Sequence, residues 1–427
     1  MSINRSIAPP IRDIETFNIV KAEKLKLTNK IPLYQLNTGT NELVKIEWVF
    51  EAGNWFQSSP LVAFAVNSML NEGTQKYTSL QIAELIEYYG AHLGYNIDKD
   101  NAFVTLVCMH KYLEEVLEIV ADIIINAAFP EHELEIFKNK HKQQFLVEQS
   151  MVKNIARSVQ MRALFGNSYP YGYFVTIEDF DKLNRNELVK FHRAFYQPKF
   201  CRIVAAGKVD DLVLKMIEKQ FASWNSTGEV TPKSFTIEQE DERKIYIHKP
   251  EAVQSAVRIG KLLMNKLHPD FTPMSVLSCI LGGYMGSRLM KKIREEKGYT
   301  YGINSILVTF KHAGYLTIVS ELGAQVTTPG IADIFTEIVK LRKELVTAEE
   351  LQRVKNYMLG DVARMFDGPF AQADSLISLL EYDLNYDYIS QMIDTIKGID
   401  TNQIRNLAIK YLDPDSFTQV VVGKMED

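Results

Sequence analysis

The sequence has little that would mark it for nucleic acid or for a membrane. Its 48 Lys and Arg residues are outnumbered by 53 Asp and Glu residues, and the net charge of −5 gives no basic excess for a nucleic-acid partner. No apolar run approaches the roughly 20 residues that cross a bilayer. The apolar core of a secretory signal is missing from the N-terminal segment MSINRSIAPPIRDIE. We therefore expect neither a nucleic-acid partner nor a membrane.

Cysteine is also scarce. The chain has three cysteines, Cys108, Cys201 and Cys279, which are widely spaced and odd in number. They match no disulfide framework and no Cys-rich zinc site. A reducing, cytoplasmic location is therefore the expectation.

The common catalytic and metal-binding motifs are absent from the sequence. A catalytic zinc site needs about three protein ligands and an open position. No two of the eight histidines lie three or four residues apart with a carboxylate on the same helical face. HExxH, its inverse, a GxSxG elbow and a phosphate-binding loop are all missing. The sequence thus predicts that this chain binds no metal and has no catalytic centre of its own.

What the sequence does contain is an internal repeat. Residues 195–211, FYQPKFCRIVAAGKVDD, align with residues 411–427, YLDPDSFTQVVVGKMED, at an offset of 216. The identical pairs include Pro198 with Pro414, Gly207 with Gly423, and Lys208 with Lys424. Two further matches keep nearly the same offset: Asn184-x-x-Glu187 with Asp400-x-x-Gln403, and residues 133–139 with 350–356. Three ordered matches at a nearly constant offset indicate a duplication.

Each half combines helix and strand patterns. In the first half the patterns predict a helix over 78–89 with a Thr78/Gln81 capping box, a strand over 101–109, a helix over 111–127, and a helix starting near Pro130. Residues 224–243 are polar and hold Gly and Pro, which is typical of a linker. We predict an α+β protein of two homologous halves, 1–223 and 244–427, each an α/β-sandwich-type unit with an antiparallel-rich sheet and helices on one face.

Two segments and the two-half plan resemble the insulinase/pitrilysin family of zinc metallopeptidases, in particular its mitochondrial processing peptidase branch. The segments are residues 61–74 and SRLMKKIREEKGYTYGI at 287–303. In that family a helix carries H-x-x-E-H followed by M-L-x-x-G-T, and MLNEGT at 69–74 matches this tail. The ligand and base positions then fall on Phe64, Asn67 and Ser68. The last zinc ligand, a later glutamate, falls on Phe145, with Glu148 one turn away. The resemblance implies that the zinc site has been lost, and the residues of 63–68 suit a buried core helix instead.

The resemblance also covers the pattern R-E-x-x-G-x-x-Y, which this chain matches fully from Arg294 to Tyr301. In the family this arginine and tyrosine hold the substrate backbone and stabilise the developing oxyanion. Arginine has a planar fork for carbonyl oxygens, and a tyrosine hydroxyl can donate to a tetrahedral oxyanion. The residues alone also suit a solvated helix charge at Arg294 and a strand aromatic at Tyr301.

These observations favour a non-catalytic subunit of a heterodimeric zinc metallopeptidase, which supplies Arg294 and Tyr301 in trans to a homologous, zinc-bearing partner. An extended peptide substrate is expected to add a strand to an exposed sheet edge, with 43–53 and 301–310 as candidate edges. Both segments also suit ordinary core strands. The alternatives are a peptide-binding or scaffold protein of the same fold, and an independent peptidase with an unrecognised metal set. A homodimer is an option where no partner exists.

Overall fold

The fold contains two β-sheets with helices packed against them. The computed structural model describes Ser6, Phe17, residues 19–228 and residues 233–425. Residues 229–232 of the predicted linker, most of the first eighteen residues, and residues 426–427 at the end of the second predicted half lie outside the described residues. The boundaries of the two halves stay a prediction. The α+β class with two similar sheets is confirmed.

The first sheet and its helices lie between residues 23 and 221. The strands are β1 Glu23–Lys26, β2 Pro32–Asn37, β3 Leu43–Phe50, β4 His92–Ile97, β5 Ala102–Met109 and β6 Cys201–Gly207. The helices are α1 Val62–Ser68, α2 Ser79–Tyr88, α3 Leu113–Asn126, α4 Glu131–Ser150, α5 Val152–Phe165, α6 Ile177–Lys182, α7 Arg185–Phe195 and α8 Asp211–Phe221. The spatial order of the strands is β1-β2-β6-β3-β5-β4.

The second sheet and its helices lie between residues 244 and 423. The strands are β7 Lys244–His248, β8 Gln254–Leu263, β9 Ile303–Thr309, β10 Gly314–Gly323 and β11 Thr418–Gly423. The helices are α9 Phe271–Ser278, α10 Thr327–Lys343, α11 Ala348–Arg364, α12 Gly368–Leu380, α13 Tyr386–Gly398 and α14 Thr401–Tyr411, with π-helical segments at Cys279–Gly283 and Met290–Glu296. The strand order is β7-β11-β8-β10-β9.

The two sheets share one topology. Five strands of the first sheet, β2-β6-β3-β5-β4, correspond in order to the five strands of the second. In each sheet the first pair of this series is parallel and the other pairs are antiparallel. Strand β1 is an addition to the first sheet only. The duplication that the sequence repeat predicts is therefore visible in the strand order.

The repeated glycines have equivalent places at the ends of equivalent strands. Gly207 ends β6 with φ of +103°, and Gly423 ends β11 with φ of +149°. A Cβ at Gly207 would lie 2.3 Å from the carbonyl oxygen of Leu43, and one at Gly423 would lie 2.5 Å from Oγ of Ser255. Only glycine fits such a backbone conformation at such a close approach.

The repeated polar residues begin equivalent helices. The side chains of Asn184 and Asp400 accept hydrogen bonds from the backbone N–H groups of Glu187 and Gln403, and so cap α7 and α14. The predicted Thr78/Gln81 capping box is also formed, at the start of α2. These caps satisfy free N–H groups at the helix starts, which is the local reason for the repeat.

Each half also lends one helix to the sheet of the other half. Helix α5 packs on the second sheet through Ile155, Ala156 and Val159, which contact Ala256, Val420 and Val422. Helix α12 packs on the first sheet through Ala373, Leu376 and Ile377, which contact Leu36, Val49, Val204 and Ala206. The helices of the same half cover the opposite face of each sheet. The exchange buries apolar side chains of both halves together.

One of the two candidate edges for peptide binding is wrong. Segment 43–53 contains β3, which pairs with β5 on one side and β6 on the other, so no free edge remains. Segment 301–310 contains β9, which pairs with β10 and lies at the end of the second sheet. Strand β4 has the equivalent end position in the first sheet.

The three cysteines are free and buried. Among the described residues, the helices include none with the length and apolarity to cross a membrane.

Candidate functional site

The predicted ligand positions Phe64 and Phe145 lie together in one cavity. The Phe64 ring of α1 packs against Phe137 and His141 of α4, with ring centroids 5.6 and 5.0 Å apart. Phe145 packs against Phe180 of α6 at 5.5 Å. Phe64 and Phe145 line a cavity of about 480 Å³ between α1, α4, α5 and α6, which we call the α4 cavity. The α1 residues Ala63, Ala65 and Val66 are core, as expected, whereas Phe64 is only half-buried.

Asn67, at the position of the family's glutamate, has a structural role. Its side chain is buried, and its Nδ2 donates to the backbone oxygen of Asn96 at 2.7 Å. Its Oδ1 accepts a hydrogen bond of 2.9 Å from Oη of Tyr196. The amide thus links α1 to β4 and to the end of α7. Neither Asn67 nor the half-buried Ser68 lines the α4 cavity.

The residues of the α4 cavity do not fit a zinc ion. Its candidate ligands are His141 and Glu148, with the amides of Gln144 and Gln149. Burial, and then the charge of Lys140, lower the pKa of His141. Two aromatic rings occupy the predicted ligand positions, and no group of three His, Cys, Asp or Glu side chains in the described parts of the chain is arranged to hold a metal. A catalytic zinc needs about three such ligands.

Sequence reasoning missed His141 as a residue of this cavity. It lies four residues before Phe145 and seven before Glu148 on α4, so the three share one helical face. That spacing is the signal that could have found it.

Arg294 and Tyr301 lie on either side of Gly298, and both are available to a ligand. Arg294 belongs to the π-helical segment Met290–Glu296 and is half-buried, and its side chain forms no hydrogen bond or ion pair with another described residue. Tyr301 is 91% exposed just before β9. Tyr301 lines a second cavity, of about 410 Å³, and Arg294 is not among its lining residues.

The second cavity, which we call the sheet cavity, lies on the part of the second sheet that α5 leaves uncovered. Arg258 of β8 is opposite Val319 of β10, and Val319 is opposite Asn304 of β9. All three line the cavity, together with Lys153 of α5. The cavity therefore extends from the exchanged helix to the edge strand of the sheet.

The two halves meet at equivalent hairpin turns. The carboxylate of Asp100, between β4 and β5, accepts hydrogen bonds from Oη of Tyr171 at 2.5 Å and from the backbone N–H of Lys311 at 2.9 Å. Lys311 lies between β9 and β10, and its neighbour His312 stacks on Trp55 with ring centroids 3.8 Å apart. These contacts join the first half to the second.

Two family models match the chain. The model described as insulinase (peptidase family M16) matches residues 42–169, and the model described as peptidase M16 inactive domain matches residues 182–358. Together they cover well over half of the chain. The chain belongs to the M16 peptidase family. The first matched range includes helix α1 with Phe64, and the second includes the segment from Arg294 to Tyr301.

Relatives of this M16 chain include proteins described as peptidases and one described as a non-peptidase. The uncharacterized zinc protease YmxG of Bacillus subtilis is 25% identical over 302 residues, which are 70% of this chain and 73% of the relative. The non-peptidase homolog YmxG of Helicobacter pylori is 23% identical over 351 residues, which are 80% of this chain and 78% of the relative.

Solved structures show the same fold. A peptidase M16 inactive domain from Pseudomonas fluorescens has a TM-score of 0.87 at 21% identity, with 95% of this chain and 99% of that chain covered. A protease from Helicobacter pylori has a TM-score of 0.87 at 15% identity, with 95% of this chain and 100% of that chain covered.

Proposed function

We propose that this M16 chain is the non-catalytic subunit of a heterodimeric zinc metallopeptidase and forms one wall of its peptide-binding chamber. The observation that carries the proposal is the aromatic packing of Phe64 at the predicted first ligand position, which puts a side chain that cannot ligate zinc in place of a ligand. A chain of this family without a metal site is expected to be inactive alone. The zinc and the activated water then belong to a homologous partner with an intact H-x-x-E-H motif. We place the pair in the cytoplasm.

Arg294 and Tyr301 are the groups that this chain supplies in trans. The exposure of Tyr301 and the lack of a described partner for Arg294 support this role, because neither side chain has a visible structural task. The Arg294 guanidinium would hold a substrate carbonyl, and the Tyr301 hydroxyl would donate to the developing oxyanion. Arg294 lies outside the wall of the sheet cavity, so the two groups act from different positions along the substrate.

The substrate is an extended peptide that pairs with a sheet edge. Strand β9 supports this best, because no other described strand pairs with its outer side and Asn304 lines the sheet cavity. Peptides added to an edge gain main-chain hydrogen bonds, and alternate side chains face the cavity.

The test is to purify the tagged chain from its native cells and identify its partners by mass spectrometry. A stoichiometric H-x-x-E-H partner is expected. The assembled pair should lose about 100-fold in kcat with Tyr301→Phe and should lose kcat/KM with Arg294→Ala, since removing one oxyanion donor costs about 10²–10³. Matched controls are Tyr88→Phe and Arg193→Ala, which alter exposed residues outside both cavities. Unchanged turnover in both test variants would refute the role in trans.

A peptide-binding or scaffold protein without a peptidase partner is the second candidate. The description of the Helicobacter pylori relative as a non-peptidase homolog favours it. Purification of the chain alone, or as a homodimer that binds peptide without cleaving it, would support this candidate over the first.

A further inference from the structure

Three basic side chains from both halves line the two cavities, and a fourth, Lys99, lies in a turn of the first half. Lys99 lies in the turn between β4 and β5, Lys153 and Arg157 lie on α5, and Arg258 lies on β8. Lys153 and Arg258 line the sheet cavity, and Arg157 lines the α4 cavity. None of the four forms a salt bridge with another described residue. We call these four residues the cation cluster.

Arg157 follows Lys153 by four residues on α5, so the two side chains share one face of that helix. Burial, and then the positive charge of Arg157, lower the pKa of Lys99 to about 8. Burial is also the main cause that lowers the pKa of Arg258, and the charge of Arg157 acts in the same direction. The packing of α5 against Ala256 of β8, the strand that carries Arg258, supplies the geometry for this repulsion.

The nearby carboxylates do not neutralise the cluster. Asp100 acts on Lys99, but its oxygens already accept hydrogen bonds from Tyr171 and Lys311. Glu321 lines the sheet cavity and acts on Arg258. Glu148 lines the α4 cavity, where it accepts a hydrogen bond from Gln144. The four cations therefore have two nearby carboxylates, Glu321 and Glu148, that take no part in the contact between the halves. This local excess of positive charge contrasts with the net charge of −5 of the whole chain.

The cluster also lies within reach of a peptide at the sheet edge. Arg258 is two strands away from β9, because Val319 of β10 lies between Arg258 and Asn304. Strands are about 4.8 Å apart, so the distance from β8 to β9 is about 10 Å. An extended arginine and a glutamate side chain of the substrate together span such a distance.

We propose that the chamber selects extended peptides with acidic side chains, whose carboxylates bind the cation cluster. This inference rests on the proposed peptide-binding function and specifies its substrate class. A guanidinium binds a carboxylate with two parallel hydrogen bonds, which favours arginine at such a site. A bound carboxylate would also offset the repulsion between Arg157 and the cations Lys99 and Arg258. This offset favours binding of an anion to the free cluster.

The test measures binding of three fluorescent peptides of equal length to the full chain. They carry Glu, Gln or Lys at alternate positions, because alternate side chains of a strand face the same side. We expect the Glu peptide to bind about tenfold tighter than the Gln peptide at low salt, and this advantage to shrink as salt rises. The double variant Arg157→Gln/Arg258→Gln should lose the advantage and keep its affinity for the Gln peptide. The matched control is Arg193→Gln/Lys219→Gln, which removes exposed cations outside both cavities.

A second readout is proton uptake. At pH 8, calorimetry in two buffers of different ionisation enthalpy should show that the Glu peptide draws protons into the wild-type complex, and that Lys99→Met reduces this uptake. Equal affinity for the Glu and Gln peptides, or preference for the Lys peptide, would overturn the inference and leave peptide binding intact. If the chain binds none of the three peptides, both the inference and the proposed peptide-binding chamber are overturned. If the double variant does not fold, the salt dependence of the wild type decides.

Discussion

The carboxylate of Asp100 in the first half accepts a 2.9 Å hydrogen bond from the backbone N–H of Lys311 in the second half. The two residues lie in equivalent turns, β4–β5 and β9–β10. In each turn the first residue donates a backbone hydrogen bond to the fourth, from Asp98 to Asn101 at 2.9 Å and from Phe310 to Ala313 at 2.8 Å. The duplicated hairpins therefore meet each other, and a single buried carboxylate holds them together.

Replacing Asp100 with alanine should destabilise the chain by about 2–4 kcal/mol, because the Tyr171 hydroxyl and the Lys311 amide both lose their acceptor. The measurement is chemical denaturation at constant pH. Asp181→Ala is the control, since it removes only an exposed ion pair with Lys142 and should cost less than about 1 kcal/mol. Equal losses in the two variants would contradict the role of Asp100.

Alanine at either repeated glycine should be far more costly than alanine at an open left-handed glycine. Gly207→Ala and Gly423→Ala place a Cβ within 2.6 Å of neighbouring atoms, and each should cost about 3 kcal/mol or more. Gly298→Ala is the matched control, because Gly298 has φ of +66° and no atom within 4 Å of an added Cβ. It should cost about 1 kcal/mol. Thermal unfolding of the three variants measures the difference, and similar midpoints would refute it.

Restoring the family's glutamate at position 67 should destabilise the chain and bring no zinc. Asn67→Glu places a carboxylate in a buried site and removes the donor to the Asn96 oxygen, which should cost about 3 kcal/mol or more. Ser68→His, at the half-buried neighbour, should be tolerated. Denaturation and metal analysis of both variants make the check. A stable Asn67→Glu protein with bound zinc would show that the α1 site is not committed to structure.

Local features could be read from the sequence, and non-local ones could not. The cap at Thr78 and the helix start near Pro130 depend on neighbouring residues, so their patterns predict them correctly. The central place of β3 depends on pairing with β5 and β6, which an apolar run does not reveal. The exchange of α5 and α12 between the sheets is equally invisible, because an apolar helix face does not say which sheet it covers.

The candidate site also combines local features that the sequence predicts with features that depend on tertiary packing. The aligned positions Phe64 and Phe145 line one cavity in the structure. The alignment does not reveal that Asn67 forms a hydrogen-bonded link between α1, β4 and α7. Arg157 is one of many helix cations in the sequence. Only the packing of α5 on the second sheet brings it near Lys99 and Arg258.

The contact between the halves also contains a carboxylate with an unusual protonation. Glu381 follows α12, and burial, then the charges of Asp98 and Asp100, raise its pKa to about 7 against the attraction of Lys266 and Arg202. The folded chain thus binds more protons here than the unfolded chain does.

Glu381→Gln should therefore flatten the pH dependence of stability. A carboxyl whose pKa is raised on folding contributes most below its unfolded pKa of 4.5, and this contribution is lost as the pH rises to about 7. The wild type should lose about 2 kcal/mol across this window, and the variant should lose less and be the more stable of the two at about pH 8. Denaturation between about pH 5 and 8 measures this, with exposed Glu87→Gln as the control. Parallel curves for wild type and Glu381→Gln would mean that Glu381 is already charged in the folded chain, and that Lys266 and Arg202 outweigh the burial and the two aspartates.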